Sequence, residues 1–111
     1  MQLVKKATNM TDLFVVIRKD NPGSAEARKE HLPAHMAYSE NNLGRFMIGG
    51  PMREATDEIP VGSVMIIKAD SLEDARAFAN EDPFAKAGAF ASTEVYYFKA
   101  GLGEWIGGKS W

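Results

Sequence analysis

The sequence predicts one α+β domain in which strands and helices follow one another in the order β-α-β-β-α-β. Short apolar runs rich in β-branched and aromatic residues, which are typical of strands, alternate with Ala- and Glu-rich stretches, which are typical of helices. Proline and glycine separate these segments. The length of 111 residues fits a single domain, and the hydrophobic fraction of 45% is ordinary for a globular protein. We therefore treat residues 1–111 as one domain with a core at about 12–100.

The first part of the chain predicts a strand followed by an interrupted helix. An apolar run indicates a buried strand at residues 12–18. Helical composition follows, but Pro33 interrupts it, because a proline ring clashes with the preceding turn inside a helix and is well placed at a helix start. The sequence therefore predicts a short helical turn at 24–30 and a main helix over 33–42, which Gly44 ends.

The middle of the chain predicts two strands joined by a long loop. Residues 45–48 form the second strand, which ends in a Gly-Gly-Pro turn at 49–51. The polar residues 52–60 form the loop, and residues 62–69 form the third strand. The second helix begins at Ser71, since this serine cap has an acidic residue three places on.

The last part of the chain completes the topology. A short turn starts at Asp82-Pro83, the last strand covers 92–99, and a Gly-rich tail with two tryptophans covers 101–111. This order of elements is that of ferredoxin-like folds. Two helices cover only one face of a four-stranded sheet, so the other face must be buried elsewhere or remain as an apolar patch. We therefore expect a homodimer, a dimeric α/β barrel in which two sheets pack face to face.

Composition excludes several classes of protein. The thirteen basic and fifteen acidic residues are well mixed, without the basic stripe of a nucleic-acid-binding protein or a polybasic membrane patch. The chain contains no cysteine, which excludes disulfides, thiolate metal sites and a cysteine nucleophile. No stretch reaches the ~18 apolar residues of a membrane span, and residues 1–10 lack the apolar block of a secretion signal. We expect a cytoplasmic protein.

The two histidines are the natural candidates for proton transfer near neutral pH. His35 is expected in the first turn of the helix begun by Pro33, where the helix dipole favours a neutral imidazole suited to a general base. The alternative is a partly buried histidine that is hydrogen-bonded to the backbone. His31 lies four residues earlier, a spacing that can chelate a metal on one helix. Because Pro33 separates the two histidines and no further ligand supports them, we predict no metal site and place His31 on the surface.

Asp82 has two compatible interpretations. It precedes Pro83, and Asp followed by Pro is a favoured helix start, so capping alone explains the residue. A carboxylate near His35 also orients the imidazole and stabilises its protonated form.

Candidate substrate contacts are a glycine-proline segment and several cations. Gly49-Gly50-Pro51 forms either a plain turn or a place where a ligand approaches the backbone closely. It lacks the GxGxxG spacing of a dinucleotide site, and we predict no cofactor. The basic pairs at 18–19 and 28–29 and the cation Arg53 either attract an anionic substrate or are solvated surface residues.

Three segments together resemble the YCII-related family. Residues 32–38 (LPAHMAY) resemble the histidine helix motif of that family, and residues 49–51 (GGP) resemble its strand-end turn. Residues 82–90 (DPFAKAGAF), which lead into the last strand, resemble its DP-(F/Y)-xx-AG-x-(F/Y) segment. The resemblance spans about 12–100, nearly the whole domain.

The resemblance implies a ferredoxin-like fold, a dimeric α/β barrel, and a site pair formed by His35 and Asp82. A characterised relative is a dehydrochlorinase domain that acts on a chlorinated hydroxyhydroquinone, and muconolactone isomerases share the architecture. The family commonly has an arginine where this chain has Leu32. An anion-binding role for that arginine is therefore missing here or is taken over by Arg28.

Three hypotheses for the function follow. The first is a cofactor-independent lyase or isomerase in which His35 and Asp82 transfer a proton on a small cyclic or aromatic substrate, with Arg28, Gly50 and Pro51 as substrate contacts. The second is a non-catalytic small-molecule-binding module with a ligand in the same cleft. The third is a purely structural dimerisation domain whose cleft is filled by side chains.

Overall fold

Four strands form one antiparallel sheet in the computed structural model, which describes residues 12–56 and 59–111. The elements of this unit are β1 (Asp12–Asp20), α1 (Ala25–Asn41), a 3₁₀ turn (Leu43–Arg45), β2 (Phe46–Met52), β3 (Gly62–Ala69), α2 (Leu72–Asn80), α3 (Pro83–Lys86) and β4 (Phe90–Phe98). The spatial order of the strands is β2-β3-β1-β4. The predicted α+β, ferredoxin-like fold class is confirmed. The expected lack of a secretion signal concerns residues 1–10, which lie outside the described residues.

The core lies between the sheet and α2. Side chains of a strand point to alternate faces, and in β1 this places Phe14 and Val16 on the side of the helices, both fully buried. Ile67 of β3, which is paired with Phe14, is equally buried. Each such side chain contributes about 1.5–3 kcal/mol on burial. The buried cluster comprises Phe14, Val16, Met65, Ile67, Ala69, Ala75, Phe78, Ala79 and Val95.

The opposite face of the sheet is largely apolar, with Lys68 and Glu94 as charged members, and no helix of the described residues covers it. We call this surface the open face; strand alternation and register place on it Leu13, Val15, Ile17, Ile48, Val64, Ile66, Tyr96 and Phe98. Val15 is the central member, since it is paired with both Ile66 and Tyr96. Tyr96 and Phe98 are 54% and 42% exposed.

Helix α1 differs from the prediction. It runs unbroken from Ala25 to Asn41 and contains Pro33, so the predicted interruption is wrong. A proline inside a helix removes one hydrogen bond and displaces the carbonyl four residues earlier. Here that carbonyl belongs to Lys29, and both residues lie on an exposed face where water can satisfy it. His35 therefore lies in the middle of α1, beyond the reach of the N-terminal dipole, and that argument for its neutral state fails.

The Gly-Gly-Pro segment also differs from the prediction. It lies inside β2 and is not a turn. Pro51 is tolerated because β2 lies at the edge of the sheet, where β3 is its one neighbour among the described strands. Gly49 has a packing reason, since a Cβ there would lie 3.2 Å from Cγ of Met65.

The cap of α2 follows the prediction, whereas the hairpin in the tail was not predicted. Ser71 caps α2 by accepting a hydrogen bond from the Asp74 backbone N–H at 3.0 Å. The tail forms a small hairpin of β5 (Leu102–Gly103) and β6 (Gly108–Lys109) around a 3₁₀ turn (Glu104–Ile106). Among the described residues, no helix combines the length and the apolar character needed to cross a membrane.

Candidate active site

A cavity of about 560 Å³ lies between α1 and the strands β2 and β3. The five residues predicted to act in catalysis or substrate binding, His35, Asp82, Arg28, Gly50 and Pro51, all line it. They come from α1, β2 and the start of α3, so tertiary folding brings together residues far apart in the sequence. Their roles in chemistry stay predictions, but their placement around one space is a structural fact.

The imidazole of His35 and the carboxylate of Asp82 are in direct contact. Nδ1 of His35 lies 2.8 Å from Oδ1 of Asp82. The same Oδ1 accepts a hydrogen bond from the backbone N–H of Phe84 at 3.0 Å, so Asp82 also caps α3. Asp82 therefore caps α3 and also lies next to His35, whereas its role in proton transfer stays a prediction. The partner of His35 is this carboxylate, not the backbone group of the alternative interpretation.

Arg18 is hydrogen-bonded to the second oxygen of the same carboxylate. Its Nη1 donates to Oδ2 of Asp82 at 3.0 Å, and its Nε donates to Oγ of Ser63 at 3.0 Å. Arg18 is only 2% exposed. The sequence predicted Arg18 to be either a substrate-attracting cation or a solvated surface residue, and the second alternative is wrong because Arg18 is buried. Ser63 was not predicted. The sequence pattern could have indicated the buried position of Arg18, because alternation places it on the same inward face as Phe14 and Val16. A charged residue on that face requires a buried partner.

The surroundings of Asp82 fix its charge. Burial by itself raises the pKa of the carboxyl group, but the hydrogen bonds from His35 and the Phe84 N–H and the charge of Arg18 outweigh it, so the pKa lies below its usual value. Asp82 is therefore ionised at neutral pH. An ionised carboxylate only accepts hydrogen bonds, so Nδ1 of His35 must carry the proton between them. In the neutral form of the imidazole, the lone pair then lies on the other ring nitrogen, Nε2.

An aromatic ring fixes the plane of the imidazole. The rings of His35 and Phe84 are stacked, with centroids 3.9 Å apart and planes 6° from parallel. Phe84 lies two residues after Asp82, so the first turn of α3 supplies both the hydrogen-bond partner and the stacking partner of His35. The hydrogen bond to Asp82 and the stack on Phe84 together fix the orientation of the imidazole.

Arg28 lines the cavity beside this cluster. Its Nε and Nη2 donate to the two carboxylate oxygens of Asp20 at 2.7 and 3.0 Å, a fork geometry that holds the guanidinium in place. Ser24 donates to the same carboxylate at 2.9 Å. No hydrogen bond among the described residues uses Nη1 of Arg28. This nitrogen is the candidate donor to an anionic ligand.

Other candidates from the sequence lie elsewhere. His31 and the cations Lys19, Lys29 and Arg53 do not line the cavity. His31 and His35 share one continuous helix, contrary to the expected break, but His35 is engaged by Asp82. Within residues 12–56 and 59–111, no group of three or more His, Cys, Asp or Glu side chains is arranged to hold a metal ion.

Comparison with known proteins identifies the family. Protein YciI of Escherichia coli O6:H1 is 34% identical over 94 residues, which cover 78% of this chain and 96% of that protein. A Haemophilus influenzae protein is 30% identical over 96 residues, covering 78% and 95% of the two chains. The solved structure of 5-chloro-2-hydroxyhydroquinone dehydrochlorinase from Burkholderia phenoliruptrix AC1100, in complex with 2,5-dihydroxybenzoquinone, is similar with a TM-score of 0.73 and 38% identity, covering 83% of this chain and 96% of that one. The sequence model of the YCII-related domain matches residues 13–99, and the chain belongs to this family.

Proposed function

We propose that this protein is a cofactor-independent lyase or isomerase that transfers a proton on a small cyclic or aromatic substrate. The observation that carries the proposal is the 2.8 Å contact between Nδ1 of His35 and Oδ1 of Asp82 in the cavity wall. In the neutral imidazole this contact makes Nε2 the proton acceptor. A similar protein is a dehydrochlorinase whose structure holds 2,5-dihydroxybenzoquinone. A small-molecule lyase is therefore the reaction class that the family best supports.

In this proposal, His35 is the acid–base residue. Its Nε2 accepts a proton from an acidic C–H or O–H of the substrate, and Asp82 stabilises the imidazolium that forms. In an elimination, the electron pair of the broken C–H or O–H bond forms a new double bond. The leaving group departs with the electron pair of the bond that held it. In an isomerisation, Nε2 returns the proton to a different carbon. Both reactions share the first step, so the pair itself is compatible with either.

Substrate binding falls to Arg28 and to the backbone of β2. Nη1 of Arg28 attracts a phenolate or enolate oxygen, since a guanidinium donates to anions with high directionality. Gly50 and Pro51 line the cavity, and the backbone of β2 there would contact one side of the ring. These three contacts would orient the substrate relative to His35.

A homodimer is part of the proposal. The open face is continuous across all four strands, and a monomer would leave its apolar side chains in water. Packing of two open faces would remove this surface from water, which is the main driving force of stable dimers. The cytoplasmic location expected from the sequence also stays a prediction.

The cavity bears on the other two hypotheses. A purely structural dimerisation domain predicted a cleft filled by side chains, whereas about 560 Å³ is open beside His35. A non-catalytic binding module would use the same cavity, so it is separated from an enzyme only by whether the ligand leaves chemically unchanged.

The test of the proposal is turnover of 5-chloro-2-hydroxyhydroquinone by wild type, His35→Ala and His31→Ala. His31 is the matched control, because it lies on the same helix outside the cavity. We expect His35→Ala to lower kcat by about 10²–10⁴-fold, the usual contribution of a positioned acid–base group, and His31→Ala to remain close to wild type. Full activity in a folded His35→Ala protein would refute the role of His35. A wild type that binds the compound and releases it unchanged favours the binding module.

A further inference from the structure

Helix α1 does not bury an apolar stripe, as a surface helix of a globular protein normally does. None of its 17 residues is buried. Its apolar side chains Leu32 and Met36, and Leu43 in the following 3₁₀ turn, all line the cavity and stay exposed. The cavity therefore occupies the place where a core would normally lie beneath this helix.

Strand β2 presents a second apolar wall to the same cavity. Met47 and Ile48 line it while 57% and 43% exposed. We call the two walls together the apolar slot; its members are Leu32, Met36, Leu43 and Met47. Ile48 also lines the cavity, but its pairing with Ile66 places it on the open face, and it is counted there. The slot belongs to the same cavity as His35 and Arg28, so one ligand can contact both.

The volume of the cavity exceeds what a single small ring requires. About 560 Å³ lies within the range of cavities that hold drug-sized molecules. A ring bound to His35 and Arg28 would occupy the polar part and leave the slot filled with water. Water against apolar walls is unfavourable, so an apolar occupant of the slot gains free energy.

We propose that the substrate is a hydroxylated ring with an apolar substituent, the ring lying at His35 and Arg28 and the substituent lying in the apolar slot. This inference rests on the proposed function and adds the substrate class. The slot lies between α1 and β2 in the catalytic cavity, whereas a second copy of the chain has the open face of the sheet to cover. Its two methionines, with Met65 beside them, adapt to substituents of different shape, as thioether side chains do.

The test is a binding series measured by equilibrium dialysis. The probes are 2,5-dihydroxybenzoquinone and its ring-methyl, ring-butyl and ring-hexyl derivatives. We expect the Kd of the wild type to fall by about fourfold for each methylene group buried in the slot. Leu43→Ser should remove most of this dependence on chain length, because Leu43 is a wall residue.

Leu102→Ser is the matched control, since Leu102 and Leu43 are 73% and 69% exposed but only Leu43 lines the cavity. It should retain the dependence of the wild type. The inference is overturned if the unsubstituted quinone binds but longer chains add nothing, or if Leu43→Ser and Leu102→Ser behave alike. If affinity does not rise with chain length and Leu43→Ser dissociates a dimer, the slot is instead part of the contact with a second copy of the chain. If none of the quinones binds, the inference also fails, and turnover by wild type and His35→Ala judges the proposed function separately.

Discussion

Asp82 joins three parts of the site through one carboxylate. Oδ1 accepts from His35 and from the backbone at the start of α3, and Oδ2 accepts from Arg18. Arg18 is in turn held by Ser63, so the carboxylate has a fixed orientation. No buried side-chain nitrogen or oxygen among the described residues lacks a hydrogen-bond partner. A change at Asp82 therefore affects stability as well as the imidazole.

We expect Asp82→Asn to destabilise the protein by about 3–5 kcal/mol, because it leaves the buried guanidinium of Arg18 without its counterion. The folded-state pKa of Asp82 lies below its usual value, so its contribution to stability is present at neutral pH and is lost as the pH falls from about 4 through the lowered pKa. The difference in the free energy of unfolding between wild type and Asp82→Asn should therefore become smaller at acidic pH.

Urea denaturation at a series of pH values measures this difference. Asp70→Asn is the control, since Asp70 is exposed and a surface substitution usually changes stability by no more than about 0.5 kcal/mol. A difference that is constant down to the acid limit would contradict the assigned ionisation of Asp82.

At the scale of elements, α1 is held by polar contacts, and the rings of His35 and Tyr38 add packing against Phe84 and Phe78. Arg28 binds Asp20 at the end of β1, His35 binds Asp82, and the hydroxyl of Tyr38 donates to the Phe78 carbonyl at 2.8 Å. Burial, together with the charges of Asp82 and Glu81, raises the pKa of Tyr38 to about 12, so this hydroxyl remains a donor at neutral pH. These contacts hold the helix over the cavity without filling the cavity.

Pro33 lies between the first and second of these contacts, on an exposed part of the helix. Because alanine is about 3 kcal/mol more favourable than proline inside a helix, offset by about 0.4–1 kcal/mol of unfolded-state entropy, we expect Pro33→Ala to raise the free energy of unfolding. Lys29→Ala, one turn earlier and also exposed, should change it little. Thermal and urea denaturation of the three proteins check this. A loss of stability in Pro33→Ala would mean that the proline shapes α1 for its contacts with α3.

At the scale of the whole molecule, the protein has two apolar surfaces with different proposed occupants. The open face is broad and lies on the sheet, which suits a second copy, whereas the apolar slot is recessed beside His35, which suits part of a ligand. A stable interface usually buries about 1,200–2,000 Å² in total, which favours a broad surface over a recess as the contact between two copies.

Analytical ultracentrifugation tests the homodimer. We expect the wild type to sediment as two chains and a Val15→Asp protein to dissociate, because a charge at the centre of the open face would be buried without a partner. Ala37→Asp is the control, since Ala37 is exposed on α1 and lies outside both surfaces. A wild type that sediments as a stable monomer would contradict the assembly.

Local sequence signals by themselves located β1, β3, β4 and the first part of β2, together with the cap of α2 and the short turn at Asp82, because alternation and capping act over a few residues. The sequence also singled out His35 and Asp82, through residue chemistry and the resemblance of their motifs to one family. Only the tertiary structure decided that Pro33 lies inside one long helix and that Gly49-Gly50-Pro51 lies inside an edge strand. Both depend on which backbone groups face water and which face a neighbouring strand. The tertiary structure also decided the 2.8 Å contact of His35 with Asp82 and the hydrogen bonds by which Arg18 and Ser63 hold Asp82. These residues come from four elements, and the distances between them are set by packing and not by spacing in the chain.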